Sequence, residues 1–534
     1  MRGSLIPSAP TSNPEGRAVP MGPSGKVLPH SREAEAEMAE TTSGSDAAAS
    51  AGAGPGLRPL VIDLDGTLLR TNILVECALA YLRREPLALL HILFWLFQGR
   101  ARLKQELACR ALVDPKLLPF DQALHAYIAA ERARGRKVYV ATAADAVIAR
   151  AVAACHGPFE DVLASDGVIN LKGQRKAEAL ARLFPQGFAY AGDSRADIPV
   201  WSRADEIIAV GRPRFTAHAA GSLGTSAGKP ALVFPTPAML PALVACARPH
   251  QWAKNLLVVA PAILGGVVLD AGRMLDVALA FAALCIVASS TYILNDLWDV
   301  ADDRRHWSKC NRPIASGRLP MAAAAGAVPA GLAVGFALGA LVGPSTVAGL
   351  AAYTALTVAY SLALKRVPIL DVVVLAGLFT TRLVLGTQAA AVAPSPWLLV
   401  FSMFLFGSLC FAKRYVEVER WKEHGTGTTT SRGYETRDAP ILLVLGAGTG
   451  VASIVTLVLY VIFDAFRHDL YTNAGWLWAF PLILFLWLAR IWLVAGRGRL
   501  DDDPVAFALN DGPSLMLGAA LVGAFVLAWS GVLA

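Results

Sequence analysis

Thr291-Tyr292-Ile293-Leu294-Asn295-Asp296-Leu297-Trp298-Asp299-Val300-Ala301-Asp302-Asp303 closes a long apolar run with a row of acids. The run before it, residues 275–295, is near the ~20 residues a helix needs to cross ~30 Å of hydrocarbon. Asp296, Asp299 and Asp303 stand at i, i+3 and i+7, so on one helix they share a face. Acids at the end of a membrane span are costly unless something binds them, and an oxygen-rich donor set suits Mg²⁺ carrying phosphate groups. The residues that follow, Arg304, His306, Lys309 and Arg312, suit an anionic substrate. Ordinary solvated loop aspartates would need neither the regular spacing nor the adjoining basic residues.

Outward from this stretch, the region after Pro235 reads as about nine apolar segments: 254–271, 275–295, 321–342, 345–363, 369–391, 396–413, 440–463, 475–494 and 513–533. Composition agrees, since 55% of the 534 residues are hydrophobic and 17% charged, a balance that points to membrane spans. Arg304 to Arg318, Lys365 and Arg366, Lys413 to Arg437, and Arg497 with Arg499 fall in alternate connections. With nine spans these basic loops share the side of the N-terminal region, which by the positive-inside rule is the cytoplasm. The net charge of +7 is explained by such loops facing anionic lipid, without nucleic acid as a partner. The expected location is the plasma (inner) membrane. Seven cysteines without a CxxC pair read as reduced thiols.

Before Pro235 the pattern changes. Residues 1–56 are rich in Ser, Gly, Pro and Ala and lack an apolar signal core, which predicts a disordered leader. Strand-like runs at 59–63, 138–142, 188–192 and 207–210 alternate with helical stretches, the signature of a parallel α/β sheet. Ligands of such sheets sit beyond the carboxyl ends of the strands. There lies Val61-Ile62-Asp63-Leu64-Asp65-Gly66-Thr67. Two carboxylates one residue apart point the same way, so one can attack phosphorus while the other handles the proton. Pro86 to Phe97 is densely apolar but too short to span. It reads as a packed helix of the region between the first two strands, with a helix resting on the membrane surface as the alternative.

This N-terminal pattern resembles the haloacid dehalogenase superfamily. Val138-Tyr139-Val140-Ala141-Thr142, Lys176, and Gly192-Asp193-Ser194-Arg195-Ala196-Asp197 follow the first motif in the family's order. The resemblance implies a phosphatase with Asp63 as nucleophile and Asp65 as general acid/base. Thr142 and Lys176 would hold phosphoryl oxygens, and Asp63, Asp65, Asp193 and Asp197 would form the Mg²⁺ site. Residues between the first two motifs would be a helical cap.

The acidic stretch at 295–303 resembles the first aspartate-rich motif of the UbiA superfamily of intramembrane transferases. A second matching stretch runs from Tyr360 through Lys365 to Asp371, with Arg382 further along the next span; Asp371 is its only carboxylate, fewer than the family usually shows. Arg248-Pro249-His250-Gln251-Trp252-Ala253-Lys254-Asn255, Lys413-Arg414-Tyr415-Val416-Glu417 and Arg432-Gly433-Tyr434 look like the decaprenyl-phosphate phosphoribosyltransferase branch. By that resemblance Asp296, Asp299 and Asp303 carry catalysis and hold Mg²⁺. Lys254, Asn295, Lys309, Arg312, Tyr360, Lys365, Asp371, Arg382 and Lys413 would bind substrate or its phosphates.

The expected architecture is multidomain: a leader over 1–56, an α/β Rossmannoid domain with a helical cap over 57–232, and an all-α polytopic bundle of about nine transmembrane helices over 233–534. The expected reaction moves phosphoribose from phosphoribosyl pyrophosphate to a polyprenyl phosphate, and the N-terminal domain then removes the 5-phosphate. The alternative is transfer of a polyprenyl group from its diphosphate to an aromatic or other acceptor, because the same acids and Mg²⁺ serve both reactions. A scaffold or transporter would place its charges near mid-bilayer rather than at span ends.

Overall fold

The structure is a computed structural model and describes residues 57–85, 87–111, 113–166, 170–224, 228–423, 432–465, 471–500 and 504–529. The leader expected over 1–56 lies outside the described residues.

The N-terminal domain is built on six parallel strands: β1 (Leu60–Ile62), β2 (Val138–Asp145), β3 (Val162–Ser165), β4 (Ala189–Gly192), β5 (Glu206–Gly211) and β6 (Ala231–Pro235), in spatial order β3-β2-β1-β4-β5-β6. Alternation along the strands sends Leu60 and Ile62 to one apolar layer and Val61 to the other, as a sheet covered on both faces requires. Two of the six strands escape the sequence pattern. β3 is four residues long, and β6 is an edge strand, mostly exposed, that directly precedes the apolar half. β1 pairs with both β2 and β4, so the chain order reverses beside β1. That reversal opens a crevice at the carboxyl edge of the sheet.

Helices α1 (Ile73–Leu82), α2 (Ala88–Phe97) and α3 (Arg100–Arg110) form the cap between β1 and β2, followed by α4 (Gln122–Ala133). The Asn72 side chain caps α1 by accepting from the Val75 N–H. Helices α5 (Ala146–His156), α6 (Gln174–Leu183), α7 (Ile198–Arg203) and α8 (Pro213–His218) complete the domain.

The second half starts with α9 (Met239–Ala247), a 3₁₀ stretch (Pro249–Val258) and the short α10 (Ala260–Leu264). It continues with α11 (Ala271–Trp298), α12 (Val300–Arg305), α13 (Met321–Val342), α14 (Pro344–Leu362), α15 (Leu370–Ala390), α16 (Pro396–Glu423), α17 (Ala439–Phe463), α18 (Ala479–Gly496), α19 (Pro504–Asn510) and α20 (Gly512–Trp529). Among the described residues, eight helices are long and apolar enough to cross a membrane.

The expected span at 254–271 is therefore not a continuous helix. Pro249 opens its 3₁₀ part, Pro261 interrupts the hydrogen-bonding ladder, and Gly265 ends α10. The broken segment still runs the depth of the bundle. Arg248 at its start binds Asp296 at the end of α11, and Gly265 packs against Val392, just beyond the far end of α15. Ten 3₁₀ residues and five α residues reach roughly 27 Å. Irregular backbone at this depth is tolerated only inside protein, and Asn255, Val258 and Ala262 are all buried. Gly386 of α15 makes room for it, since a side-chain carbon there would overlap the Val258 carbonyl.

A second correction concerns the segment expected to end at 413. α16 continues to Glu423, so Lys413, Arg414, Glu417 and Arg420 lie on the helix rather than in a loop. Arg414 stays buried there because it meets Asp371.

The two halves meet along α1. Val75 and Leu79 pack into an apolar cluster with Ala242, Cys246, Ile293 and Leu297. Beside it, Arg304 donates to both Glu76 oxygens, at 2.7 and 3.1 Å, and Arg83 binds Asp302 at 2.7 Å. The Arg304–Glu76 pair is almost fully buried, and removing one member of such a pair costs about 3–5 kcal/mol.

Candidate active sites

At the sheet's carboxyl edge, Asp63 follows β1, Asp193 follows β4, and Asp197 sits in the 3₁₀ turn Arg195–Asp197. Carboxylate oxygens of these three lie within 4.8 Å of one another. Gly66, at φ +80, supplies the turn that lets the backbone pass against Asp193; a side-chain carbon there would overlap that carboxylate. Lys176 Nζ donates to Asp63 Oδ1 and to the Tyr190 hydroxyl, each at 2.9 Å. Tyr190 in turn donates to Asp197 Oδ1 at 2.7 Å, and the Ser194 hydroxyl donates to Asp197 Oδ2 at 2.8 Å. Both oxygens of Asp197 thus have protein partners, which suits it to orient the cluster.

Asp65 stands outside that group of three. Its Oδ1 accepts from the Ile73 N–H at 2.8 Å, at the start of α1. Thr142 is fully buried, and its Oγ1 accepts from the Ala144 N–H at 3.0 Å.

Electrostatics show what the cluster lacks. Burial pushes Asp63 up to about 7, with Lys176 opposing. Burial, reinforced by the charges of Asp63 and Asp197, pushes Asp193 up to about 8. Burial also raises Asp65, against the Ile73 N–H. Lys176 stays above the ordinary lysine value: burial works against its charge, but Asp63 and Asp197 outweigh it. One lysine among crowded carboxylates leaves the site short of positive charge, so these residues fit a divalent cation.

The sequence reading missed Lys104. It projects from cap helix α3, and its Nζ donates to the Ala143 carbonyl at 2.5 Å and to Asn170 Oδ1 at 3.0 Å. With Asp65, Ile73, Cys77 and Asp145 it lines a narrow cleft. Burial lowers its pKa, with Asp65 opposing. No spacing signal marks a lysine that enters a site across a cap.

The membrane-half acids sit at the mouth of the bundle. Because α11 ends at Trp298 with Asp299 as its C-cap, the three do not share one face. Arg312 Nη1 donates to Asp296 Oδ1 at 3.0 Å and to Asp303 Oδ2 at 2.7 Å. Arg248 Nη2 donates to both Asp296 oxygens, at 2.6 and 2.8 Å. Asp299 turns the other way, to Lys365 Nζ at 2.7 and 2.5 Å, and Asn295 Oδ1 also accepts from that lysine at 3.3 Å. Asp296 and Asp303 are 2% and 4% exposed, so they are not splayed toward water. One nitrogen already serves two carboxylates there, a spacing that also fits a cation.

Burial pushes Asp303 up to about 6, with Arg312 opposing. Burial lowers Lys309, and Arg312 and Arg432 lower it further. Burial lowers Lys365 as well, although Asp299 pulls it up. Lys309 opens the 3₁₀ turn Lys309–Asn311, where its carbonyl accepts from the Arg312 N–H at 3.0 Å, and the charges of Asp303 and Glu417 partly offset the lowering. Arg248, quoted in the sequence only as part of a signature, is the residue the site adds. Its backbone is left-handed at φ 52, and that turn brings its guanidinium to Asp296.

Other expected residues fall elsewhere. Asp371 is fully buried and accepts from Arg414 Nε and from the Tyr434 hydroxyl, each at 2.6 Å. Tyr434 also accepts from the N–H of Ile369 at 2.8 Å, a residue held at a left-handed φ of 68. Asp371 is therefore an anchor of this corner. Tyr360 accepts from Arg432 at 2.8 Å. Arg382 lies roughly 16 Å further along α15, where it donates to Asn255 Oδ1, the Leu378 carbonyl and the Tyr353 hydroxyl. It is separate from the acidic mouth. Lys254 lies in the 3₁₀ stretch Pro249–Val258 and Lys413 on α16.

Comparison with known proteins places both halves. Residues 258–512 match the UbiA prenyltransferase family, and residues 60–202 match haloacid dehalogenase-like hydrolases. Uncharacterized protein y4nM of Sinorhizobium fredii is 39% identical over 472 residues, 88% of this chain and 91% of that protein. Nodulation protein NoeC of Azorhizobium caulinodans is 33% identical over 54% of this chain and 95% of its own length. Decaprenyl-phosphate phosphoribosyltransferase of Corynebacterium glutamicum is 31% identical over 54% of this chain and 86% of its own length. The chain is an integral membrane protein that belongs to the UbiA prenyltransferase family and carries a haloacid dehalogenase-like domain ahead of its helical bundle.

Proposed function

We propose that the membrane half transfers phosphoribose from phosphoribosyl pyrophosphate to a polyprenyl phosphate. The N-terminal domain then removes the 5-phosphate to leave polyprenyl phosphoryl ribose. Both sites face the cytoplasmic side of the plasma membrane in this reading. The observation that carries it is the mouth of the bundle, where buried Asp296 and Asp303 are held by Arg312 and Arg248, and Asp299 by Lys365. The similarity to decaprenyl-phosphate phosphoribosyltransferases favours a ribosyl donor over a prenyl one.

Asp296, Asp299 and Asp303 would hold Mg²⁺, which when bound neutralises charge on a departing diphosphate. Arg312 and Lys365, released from those acids, then have a diphosphate as their anionic partner, with Lys309 beside them. The C1–O bond to diphosphate breaks as an oxygen of the lipid phosphate bonds to C1. That oxygen is already anionic, so no general base is needed. In the N-terminal domain, Asp63 attacks the 5-phosphate while Asp65, its carboxyl held by the Ile73 N–H, protonates the departing ribose oxygen. Water then cleaves the aspartyl phosphate, giving up its proton to Asp65. Lys176 screens Asp63 from the phosphoryl oxygens. Asp63, Asp193 and Asp197 would hold the Mg²⁺ of this site. Tethering the two sites raises the local concentration of product at the second.

The test supplies purified protein in nanodiscs with Mg²⁺, labelled phosphoribosyl pyrophosphate and polyprenyl phosphate. A parallel reaction supplies polyprenyl diphosphate and aromatic acceptors. Labelled lipid in the first reaction is expected; product confined to the second would assign the chain to prenyl transfer instead.

A further inference from the structure

Helix α2 is apolar on both sides. Its inward stripe is Ala88, His91, Ile92 and Trp95. Ala88 and Trp95 are buried, the Tyr81 hydroxyl and His91 Nδ1 share a hydrogen bond of 2.8 Å, and the Arg110 guanidinium lies 5.0 Å over the Trp95 ring. The outward stripe, Leu90, Leu93, Phe94 and Phe97, repeats at i, i+3, i+4 and i+7. Phe94 is 60% exposed and Phe97 91%, and no described residue covers this face. Contiguous exposed apolar surface of this kind marks an interaction site. A helix of 10 residues is about 15 Å long and cannot cross ~30 Å of hydrocarbon.

The location of the helix narrows the partner. Arg83, just before α2, holds Asp302 at 2.7 Å. Asp302 lies a short step past Trp298, the last residue of the span α11. Four helical residues rise only ~6 Å, within the ~5–8 Å headgroup layer of each leaflet. The start of α2 follows Arg83 by a few residues, a chain reach of at most ~14 Å. Exposed arginines flank the helix, Arg84 before it and Arg100 after it. Across the same seam, α9 turns Leu240 and Val244 outward while its other face packs against Val75 and Leu79 of α1. Apolar surface thus continues on both sides of a junction that already adjoins the bundle.

We propose that α2 lies in the headgroup–acyl boundary of the bilayer that the chain's own spans cross. Its outward stripe sits in the apolar layer, and Arg84 and Arg100 meet anionic headgroups. Because α3, which carries Lys104, packs directly on α2, this contact holds the cleft of the N-terminal domain at the lipid surface. The inference needs only that the spans cross a membrane, so it stands or falls apart from the proposed reaction.

Photo-crosslinking of the full chain tests it, in proteoliposomes of phosphatidylcholine and phosphatidylglycerol. Phe97→p-benzoylphenylalanine and Leu93→p-benzoylphenylalanine report the outward stripe. Leu183→p-benzoylphenylalanine reports an exposed site at the end of α6, on the edge of the sheet opposite the cap. The expected result is a phospholipid adduct on the α2 peptide from both outward positions, at least tenfold above that at position 183. Adducts to another segment or to a second copy of the chain would overturn the proposal, as would lipid labelling no higher than at position 183.

Discussion

At the carboxyl edge of the sheet, Asp63, Asp193 and Asp197 crowd within 4.8 Å of one another around a single lysine. At the mouth of the bundle, Asp296, Asp299 and Asp303 are each held by an arginine or a lysine. The first arrangement is short of positive charge, which shows in the upward shifts of Asp63 to about 7 and Asp193 to about 8. The second already pairs each acid with a cationic side chain, and any cation entering it must take carboxylates away from guanidinium and ammonium groups. The difference suits the two substrates proposed. A phosphatase needs an electrophilic hole for one phosphoryl group. A transferase that expels diphosphate gains from cations that change partners when the donor arrives.

The largest expected effects separate the two sites outright. Asp296→Asn should lower lipid labelling from phosphoribosyl pyrophosphate on the order of 10³-fold or more, and Asp63→Asn should lower phosphate release by as much. Asp63→Asn should leave transfer intact and let the phosphorylated lipid accumulate, read by chromatography of the labelled product. Loss of transfer in Asp63→Asn would break the comparison by making the two centres one. Arg312→Met tests partner exchange. It should cost roughly 10²-fold in transfer, the scale of removing one donor from a developing charge, and leave release of phosphate from a small ester unchanged.

A smaller effect distinguishes the centres by pH. A cation binds the deprotonated acids, so protons compete below their pKa values. At the sheet site, with Asp63 near 7 and Asp193 near 8, Mg²⁺ affinity should weaken as pH falls from 8 to 6, about tenfold per unit for each proton displaced. At the bundle mouth, where Asp303 reaches about 6, the decline should begin at lower pH. Calorimetric titration of Mg²⁺ into Asp296→Asn and Asp63→Asn proteins separates the two curves. The smallest effect belongs to Lys104→Met, which should raise KM for a lipid-borne phosphate roughly fivefold while kcat for a small soluble ester holds.

How much of this was legible in the sequence follows from how local each signal is. Asp63 and Asp65 lie one residue apart, and Asp193 and Asp197 four apart, so a strand end and a turn declare themselves in a few letters. The apolar spans were readable because length alone fixes them. The break at Pro249–Leu264 was not, since an apolar segment has the same composition whether it is one helix or two pieces. Its irregular backbone survives through contacts with Gly386 and Arg382 from a distant helix. The spacing of Asp296, Asp299 and Asp303 predicted one face, and the helix end at Trp298 divided it. Lys104 and Arg248 act through tertiary approach, one across a cap and the other through a left-handed turn. The edge strands β3 and β6 were too short, or too exposed, to be set apart from their surroundings.

One helix touches both centres. The first N–H of α1, at Ile73, fixes the Asp65 carboxylate, and one turn later Glu76 grips Arg304, the immediate neighbour of Asp303. The first turn of α1, Ile73 to Glu76, thus joins the proposed proton donor of one reaction to the proposed ion cradle of the other. If ligand at the mouth shifts Arg304 and so tightens binding at the sheet, thermodynamic reciprocity requires a phosphoryl ligand at the sheet to tighten the mouth by the same factor.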